Sequence, residues 1–252
     1  MTRPEENGPA LSPLSPLSPL SPLSAQSPAA ARLAVVRERL AAAAHAAGRS
    51  PEELTLVAVS KTHPPGAIAE LAALGCADFG EARWQELSQK TEAPELAGVA
   101  GLRWHFVGRL QRNKARGVGS ACAVVHSLDR PELCAPLGRG AVDAGRTLDV
   151  FVQVSLDDDP ERGGVRGDQL DGLADGVAAT EGLRLLGVMA VVPLGADPRG
   201  AFGRLRGLAD GVRRSHPDAR GLSAGMSGDL EQAVVEGATH LRIGTALFGS
   251  RA

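Results

Sequence analysis

The chain has 252 residues, 43% hydrophobic and 22% charged, with a formal net charge of −2. That is a globular balance, long enough to bury a sizeable core. The near-neutral charge and the 3% aromatic content leave no electrostatic footprint or stacking surface for nucleic acid, and no apolar run reaches the ~18 residues of a membrane span.

The N-terminus repeats Leu-Ser-Pro from position 11 onward. Proline at every third residue forbids helix, and the basic start and unbroken apolar stretch of a signal peptide are missing. Residues 1–30 are therefore expected to be a disordered tail of polyproline character, with residues 31–252 as one folded unit. Ala31 to Gly48 is rich in alanine, leucine and arginine and stops at glycine, the pattern of a helix. Strand-like runs follow at Leu54–Ser60, Asp78–Gly80, Trp104–Gly108, Val124–Ser127, Val150–Val154, Leu186–Val192, Gly221–Gly225 and Leu241–Gly244, with helical composition between them. This alternation predicts a parallel sheet with helical crossovers. At this length a closed (β/α)8 TIM-type barrel is the economical α/β architecture. An open doubly wound sheet is the alternative, but it normally carries a glycine-rich nucleotide turn after its first strand, where this chain has "KTHPPG".

Cys76, Cys122 and Cys134 form an odd set without metal-like spacing, which suits a reducing, cytoplasmic compartment. The six histidines are scattered, with no pair four apart on a helix, so no metal site is expected. The acidic "LDDDPE" stretch reads as a solvated loop tip.

Lys61 stands directly against the apolar run "LTLVAV". A cation beside a core is costly unless solvated, paired or chemically employed. In a barrel, Lys61 falls at the C-terminal end of the first strand, where the βα loops gather the chemistry. Partial desolvation there would favour the neutral amine, the nucleophile that joins carbonyls. A solvated strand-end lysine is the plainer account.

Two strand-to-helix junctions lie near the C-terminus. One, Ser223 to Asp229, offers Ser227 as a helix N-cap and Gly225 and Gly228 for close backbone approach. The other puts Gly244 and Thr245 just past the last strand. Loops after the seventh and eighth barrel strands commonly hold a phosphate. A lysine for an aldehyde and a cup for a phosphate, across one barrel mouth, describe a pyridoxal 5′-phosphate (PLP) site.

"VAVSKTHPPGAIAELAALGCADFGEARWQE", "RWHFVGRLQRNKAR", "GVMAVVP" and "LSAGMSGDLEQAVVEGATHLRIGTALFGSR" together resemble the YggS/PROSC family of PLP homeostasis proteins, in order from about Val57 to Arg251. The resemblance implies a single barrel like the N-terminal domain of alanine racemase, with PLP held as a Schiff base on Lys61. It puts Ser227, Gly244 and Thr245 on the phosphate-binding segments, with Ser223 and Met226 close by. Arg242 matches the arginine that faces the pyridine nitrogen. The chain departs from the family at Ala82, where asparagine is usual, and at His63 and Arg162, where lysines are common.

Other polar residues carry weaker signals. Either Trp104 or His105 must face inward, because side chains alternate along a strand. Gln111, Asn113 and Lys114 are candidates for polar contacts at the rim, and Met189 for barrel core. Two functions compete: a PLP binder that buffers or delivers the cofactor with little turnover, and a fold-type III PLP enzyme such as an amino-acid racemase or decarboxylase. A two-base racemase of this type needs a tyrosine from a second domain. The chain has no tyrosine and ends soon after the eighth strand, so the carrier is preferred over inversion, although Cys76 or a histidine could serve another reaction. A PLP-free aldolase is disfavoured by the phosphate cup. PLP-dependent apo-enzymes are the candidate recipients, and an isolated barrel is compatible with a monomer.

Overall fold

The computed structural model describes residues 27–157 and 163–249. The expected tail, apart from Ser27–Ala30, lies outside the described residues, as do Arg162 and Arg251. Helix α1 spans Pro28–Ala46 and starts three residues before the expected Ala31, because Ser27 accepts from Ala30 N–H and proline suits the first helical position. Its buried positions Ala29, Leu33, Val36, Leu40 and Ala43–Ala44 recur at helical spacing.

Eight parallel strands close into a barrel: β1 Thr55–Val59, β2 Asp78–Glu81, β3 Arg103–Phe106, β4 Val124–Leu128, β5 Leu148–Gln153, β6 Leu183–Met189, β7 Gly221–Ser223 and β8 His240–Ile243. Each pairs with its neighbour in chain order, and β8 returns to β1 from Thr55↔His240 to Ala58↔Ile243. The crossover helices are α2 Pro65–Ala73, α3 Trp84–Thr91, α4 Arg112–Ala121, α5 Cys134–Asp143, α6 Leu170–Ala178, α7 Pro198–Ser215 and α8 Leu230–Val235, with a last turn, α9, at Thr245–Phe248. None of the described helices is long and apolar enough to cross a membrane.

Strand β6 begins three residues before the expected Leu186. It pairs with β5 from Leu148↔Leu183 onward, and the Ala190 carbonyl turns away to accept from Arg242. The register of β6 against β5 shifts between Val150 and Phe151, and on its other side Gly187 lies so close to Gly221 that a Cβ there would overlap the Gly221 carbonyl.

Outward-facing strand residues pack against the helices. The inward-facing layer differs from the branched aliphatics usual in such barrels. Val124, Phe151 and Met189 form an apolar cluster inside, and beside it lie buried His105, His126, Ser223 and Arg242. His105 therefore takes the inward position of β3, while Trp104 packs outside near Phe79. His126 stacks on Phe151 at 4.8 Å, and His240 meets the same ring edge-on at 4.9 Å. Arginines of α1 and its exit close helix ends elsewhere: Arg32 donates to the Leu247 carbonyl, Arg37 to Leu74, and Arg49 to Val234 and Ala238.

Candidate functional site

The chain leaves β1 at Ser60, which is fully buried, and turns at Thr62, whose φ of 68° is a strained value for a β-branched residue. That turn is held by charge from α3. Lys90 Nζ donates to the Ser60 carbonyl at 2.9 Å, to Glu81 Oε1 at 2.7 Å and to Glu86 Oε1 at 2.7 Å. Glu86 Oε1 also accepts from Thr62 N–H at 2.5 Å, and Ser60 Oγ donates to Glu81 Oε1 at 2.6 Å. Both residues flanking Lys61 are thus fixed through Lys90.

Lys61 itself is exposed, so the expected desolvation at an apolar rim is absent. The strained turn leaves it open to solvent at the C-terminal end of β1. Among the described residues no carboxylate pairs with it, which leaves the amine free. His63 stacks on Phe248 at 4.7 Å and closes the mouth between β1 and α9.

Across that mouth, Gly225 has φ 88°, and a Cβ there would meet Ala233 Cβ at 2.6 Å, so only glycine fits. Asp229, not Ser227, is the N-cap of α8; its carboxylate accepts from Met226 N–H at 2.6 Å, tying a turn before the helix. Ser227 is thereby directed to α9: its Oγ lies 3.5 Å from Thr245 Oγ1 and 3.4 Å from Ala246 N. Arg39 supports the loop from behind, donating to the Ser227 carbonyl at 3.1 Å and, through both nitrogens, to Glu231. Gly244 precedes α9, with room for a Cβ only at 3.3 Å from the Val59 carbonyl. Met226 is 41% exposed beside the loop.

Arg242, inward-facing on β8, donates to Ser223 Oγ at 2.6 Å and to the Ala190 carbonyl at 3.0 Å. Burial pulls its pKa down to about 10, with Asp229 acting in the opposite sense, so it is still a cation at neutral pH. Ser223 Oγ is occupied by Arg242 and His126; its side chain serves the guanidinium.

The donor set suits PLP. Among the described residues the N–H groups of Ser227 and Gly228 meet no acceptor, and two hydroxyls stand beside them, the complement of a phosphate. A free amine lies on the neighbouring strand end and a buried guanidinium between. No group of His, Cys, Asp or Glu among the described residues is arranged to hold a metal.

On the rim after β2 and β3, Ala82, Trp84, Phe106, Arg109, Gln111 and Lys114 line a cavity of about 250 Å³. Asn113 is exposed and outside it. All three cysteines are buried and free; Cys76 precedes β2, at the opposite end of the barrel from Lys61. The functional support that sequence reading missed is Lys90 with Glu81 and Glu86, and the link from His105 through His126 to Ser223. The one available signal was that His105 and His126 fall within strand patterns.

A family model described as alanine racemase, N-terminal domain, matches residues 32–252. A pyridoxal phosphate homeostasis protein of Mycobacterium tuberculosis (strain H37Rv) is 45% identical over 235 residues, covering 87% of this chain and 91% of its own. The protein of that name from Escherichia coli (strain K12) is 40% identical over 222 residues, covering 87% and 95%. The structure of PipY from Synechococcus elongatus with PLP bound matches with a TM-score of 0.74 at 36% identity, over 85% of this chain and 100% of PipY. With a barrel of the same topology and these identities along most of its length, the chain belongs to the alanine racemase N-terminal domain family, among the pyridoxal phosphate homeostasis proteins.

Proposed function

We propose that this chain binds PLP through Lys61 and buffers or delivers it, with little turnover of its own. The observation that carries the reading is the meeting, at one barrel mouth, of a lysine and a buried arginine that form no ion pair among the described residues and a hydroxyl and N–H cup at Ser227 and Thr245. Bound PLP supplies an aldehyde that captures amines and an electron-poor ring. In this reading Lys61 holds the aldehyde end, and Ser227, Gly244 and Thr245 hold the phosphate, with Met226 at its border. Arg242 faces the ring nitrogen and Ser223 stands behind it. A guanidinium only donates, so it offers no acceptor for a proton on that nitrogen. The ring is then a poor electron sink, which restrains carbanion chemistry.

Racemisation would need a second acid/base group opposite the lysine. The chain has no tyrosine, and burial pushes the Cys76 thiol up to about 11 at the far end of the barrel. The relatives' shared name, a homeostasis protein, agrees with a carrier. The reading makes PLP-dependent apo-enzymes the recipients; an isolated barrel is compatible with a monomer, and three free buried cysteines suit a reducing, cytoplasmic compartment.

The test is the visible spectrum of the protein with added PLP, beside Lys61→Ala, followed by borohydride reduction and peptide mapping. A band in the parent, its loss in K61A and an adduct on Lys61 are expected. No band, or an adduct spread over other lysines, would overturn the assignment.

A further inference from the structure

A line of hydrogen bonds runs through the barrel from its floor to Arg242. Asp78 Oδ1, at the start of β2, lies 2.8 Å from His105 Nε2. His105 Nδ1 lies 2.8 Å from His126 Nε2, and His126 Nδ1 lies 2.7 Å from Ser223 Oγ. Ser223 Oγ then accepts from Arg242 at 2.6 Å. His105, His126 and Ser223 are fully buried, and Asp78 and Arg242 nearly so.

The chemistry of the two ends fixes the two outer bonds. A carboxylate only accepts, so His105 carries its hydrogen on Nε2; a guanidinium only donates, so Ser223 offers Arg242 a lone pair. The pattern that leaves no donor over has His126 Nε2–H donating to His105 Nδ1 and the Ser223 hydroxyl donating to His126 Nδ1. Each donor then has one acceptor, with none left over. Burial, with the charge of Arg242 acting in the same sense, holds His126 well below its ordinary range. The bonds of Arg242 to Ser223 Oγ and to the Ala190 carbonyl use two of its five N–H groups.

Such a chain is a costly way to fill a barrel. Buried polar groups must all be satisfied, whereas aliphatic residues would fill the same space without that demand. What the chain does that aliphatics would not is aim a lone pair at Arg242 and hold it there.

We propose that His126, backed by His105 and Asp78, is a positioning residue for Arg242: it locks the Ser223 hydroxyl as an acceptor for the guanidinium and thereby sets the affinity and the visible spectrum of bound PLP. The proposal rests on the PLP reading above and gives Ser223 its role through Arg242 instead of through the phosphate.

The experiment is a spectroscopic titration of the apo-protein with PLP, for the parent, His126→Phe, His126→Asn, Ser223→Ala, Arg242→Met and the H126F/R242M double variant. Each is measured well below its own melting temperature. H126F and S223A are expected to weaken PLP binding roughly 10- to 100-fold, the range for losing a hydrogen bond to a charged group, and to shift the band toward that of R242M. H126N recovers part of the loss, because its Oδ1 can accept from Ser223. In the R242M background, H126F is expected to change affinity by less than about twofold, the signature of one residue acting through another.

If H126F and S223A bind PLP as the parent does, with the same band, the proposal is wrong. An equal loss from H126F with and without Arg242 also overturns it, since that is the result of a purely structural role. S223A decides the matter if H126F does not fold, because it removes a single oxygen. A parent without any band sinks the PLP reading itself, a result distinct from a parent and R242M that differ while H126F matches the parent.

Discussion

Replacing Lys90 with methionine keeps the length of the stem and removes a cation that three oxygens surround. Lys90 is 4% exposed and its partner Glu81 is not exposed at all. Glu81 Oε2 already lacks a hydrogen-bond partner, so without Lys90 the Glu81 carboxylate retains only the Ser60 hydroxyl. Removing one member of a buried pair costs about 3–5 kcal/mol, a large share of the ~5–15 kcal/mol that holds a domain together. In a domain of this size that is a fall of roughly 6–20 °C in melting temperature.

The same substitution should carry a distinctive pH signature. Burial already pushes the Glu81 carboxyl up, with Lys90 and Ser60 pulling against it; without Lys90 it rises further. A folded-state pKa above the unfolded value means that the folded protein holds the extra proton. Stability is then gained as pH falls through the raised value and lost as pH rises through it. The K90M deficit should therefore shrink between pH 7 and pH 5, and Glu81→Gln should recover most of it at pH 7. Urea and thermal unfolding followed by circular dichroism, on the parent, K90M, E81Q and the double variant, measure all of this. Because Lys90 also fixes the Ser60 carbonyl and, through Glu86, the Thr62 amide, PLP affinity should fall as well. A K90M melting temperature within about 2 °C of the parent at pH 7, or a deficit that E81Q leaves untouched, would refute the reasoning.

Two further predictions concern the barrel interior and the cup. Burial pushes His240 down to about 3 and His126 well below its ordinary range, while an unfolded histidine titrates near ~6.5. Below that pH the unfolded chain takes up protons that the folded chain refuses, so stability present above it is lost on acidification, by about 1.4 kcal/mol per histidine at pH 5.5. Asp78, held low by its bond to His105 against its own desolvation, acts in the same sense at lower pH, whereas Glu81 partly offsets it. Urea midpoints that stay flat from pH 7.5 to 5.5 would show that these rings are not buried and neutral. At the cup, Ser227→Ala should weaken PLP binding several-fold while leaving the affinity for pyridoxal, which has no phosphate, unchanged; isothermal titration with both ligands checks this, and equal losses for the two would detach Ser227 from the phosphate.

The parts legible in the sequence were those fixed by local pattern. The apolar run before Ser60 marks β1, and the glycines around Met226 and Thr245 mark the ends of β7 and β8, because strands and turns are written in adjacent residues. The start of β6 was misplaced by three residues, since "LLGVMAVV" is apolar throughout and the barrel closure, rather than the pattern, sets its register against Leu148. The N-cap of α8 fell at Asp229 and not Ser227 for a related reason: both are good caps, and a bond to Met226 N–H, a contact within a loop, chose between them. The desolvation expected at Lys61 failed because exposure depends on the turn at Thr62, whose left-handed backbone has no sequence signature.

Convergence across the barrel was illegible for a deeper reason. His105 and His126 are 21 residues apart, and His126 and Ser223 are 97 apart; only the closure of the sheet brings them into one line. Lys90 and Glu81 are nine residues apart, across a loop between a strand and a helix, so no helical spacing joins them either. These two networks stand behind the two groups the site most depends on, one behind the turn that presents Lys61 and one behind Arg242. Each buries charge or imidazole where aliphatic residues would cost less. On the proposed reading, fixed supports behind an exposed amine are what a cofactor carrier requires: ring and phosphate contacts would stay in place while the lysine is open to water and to incoming amines, so that PLP could be taken up and released without rebuilding the site.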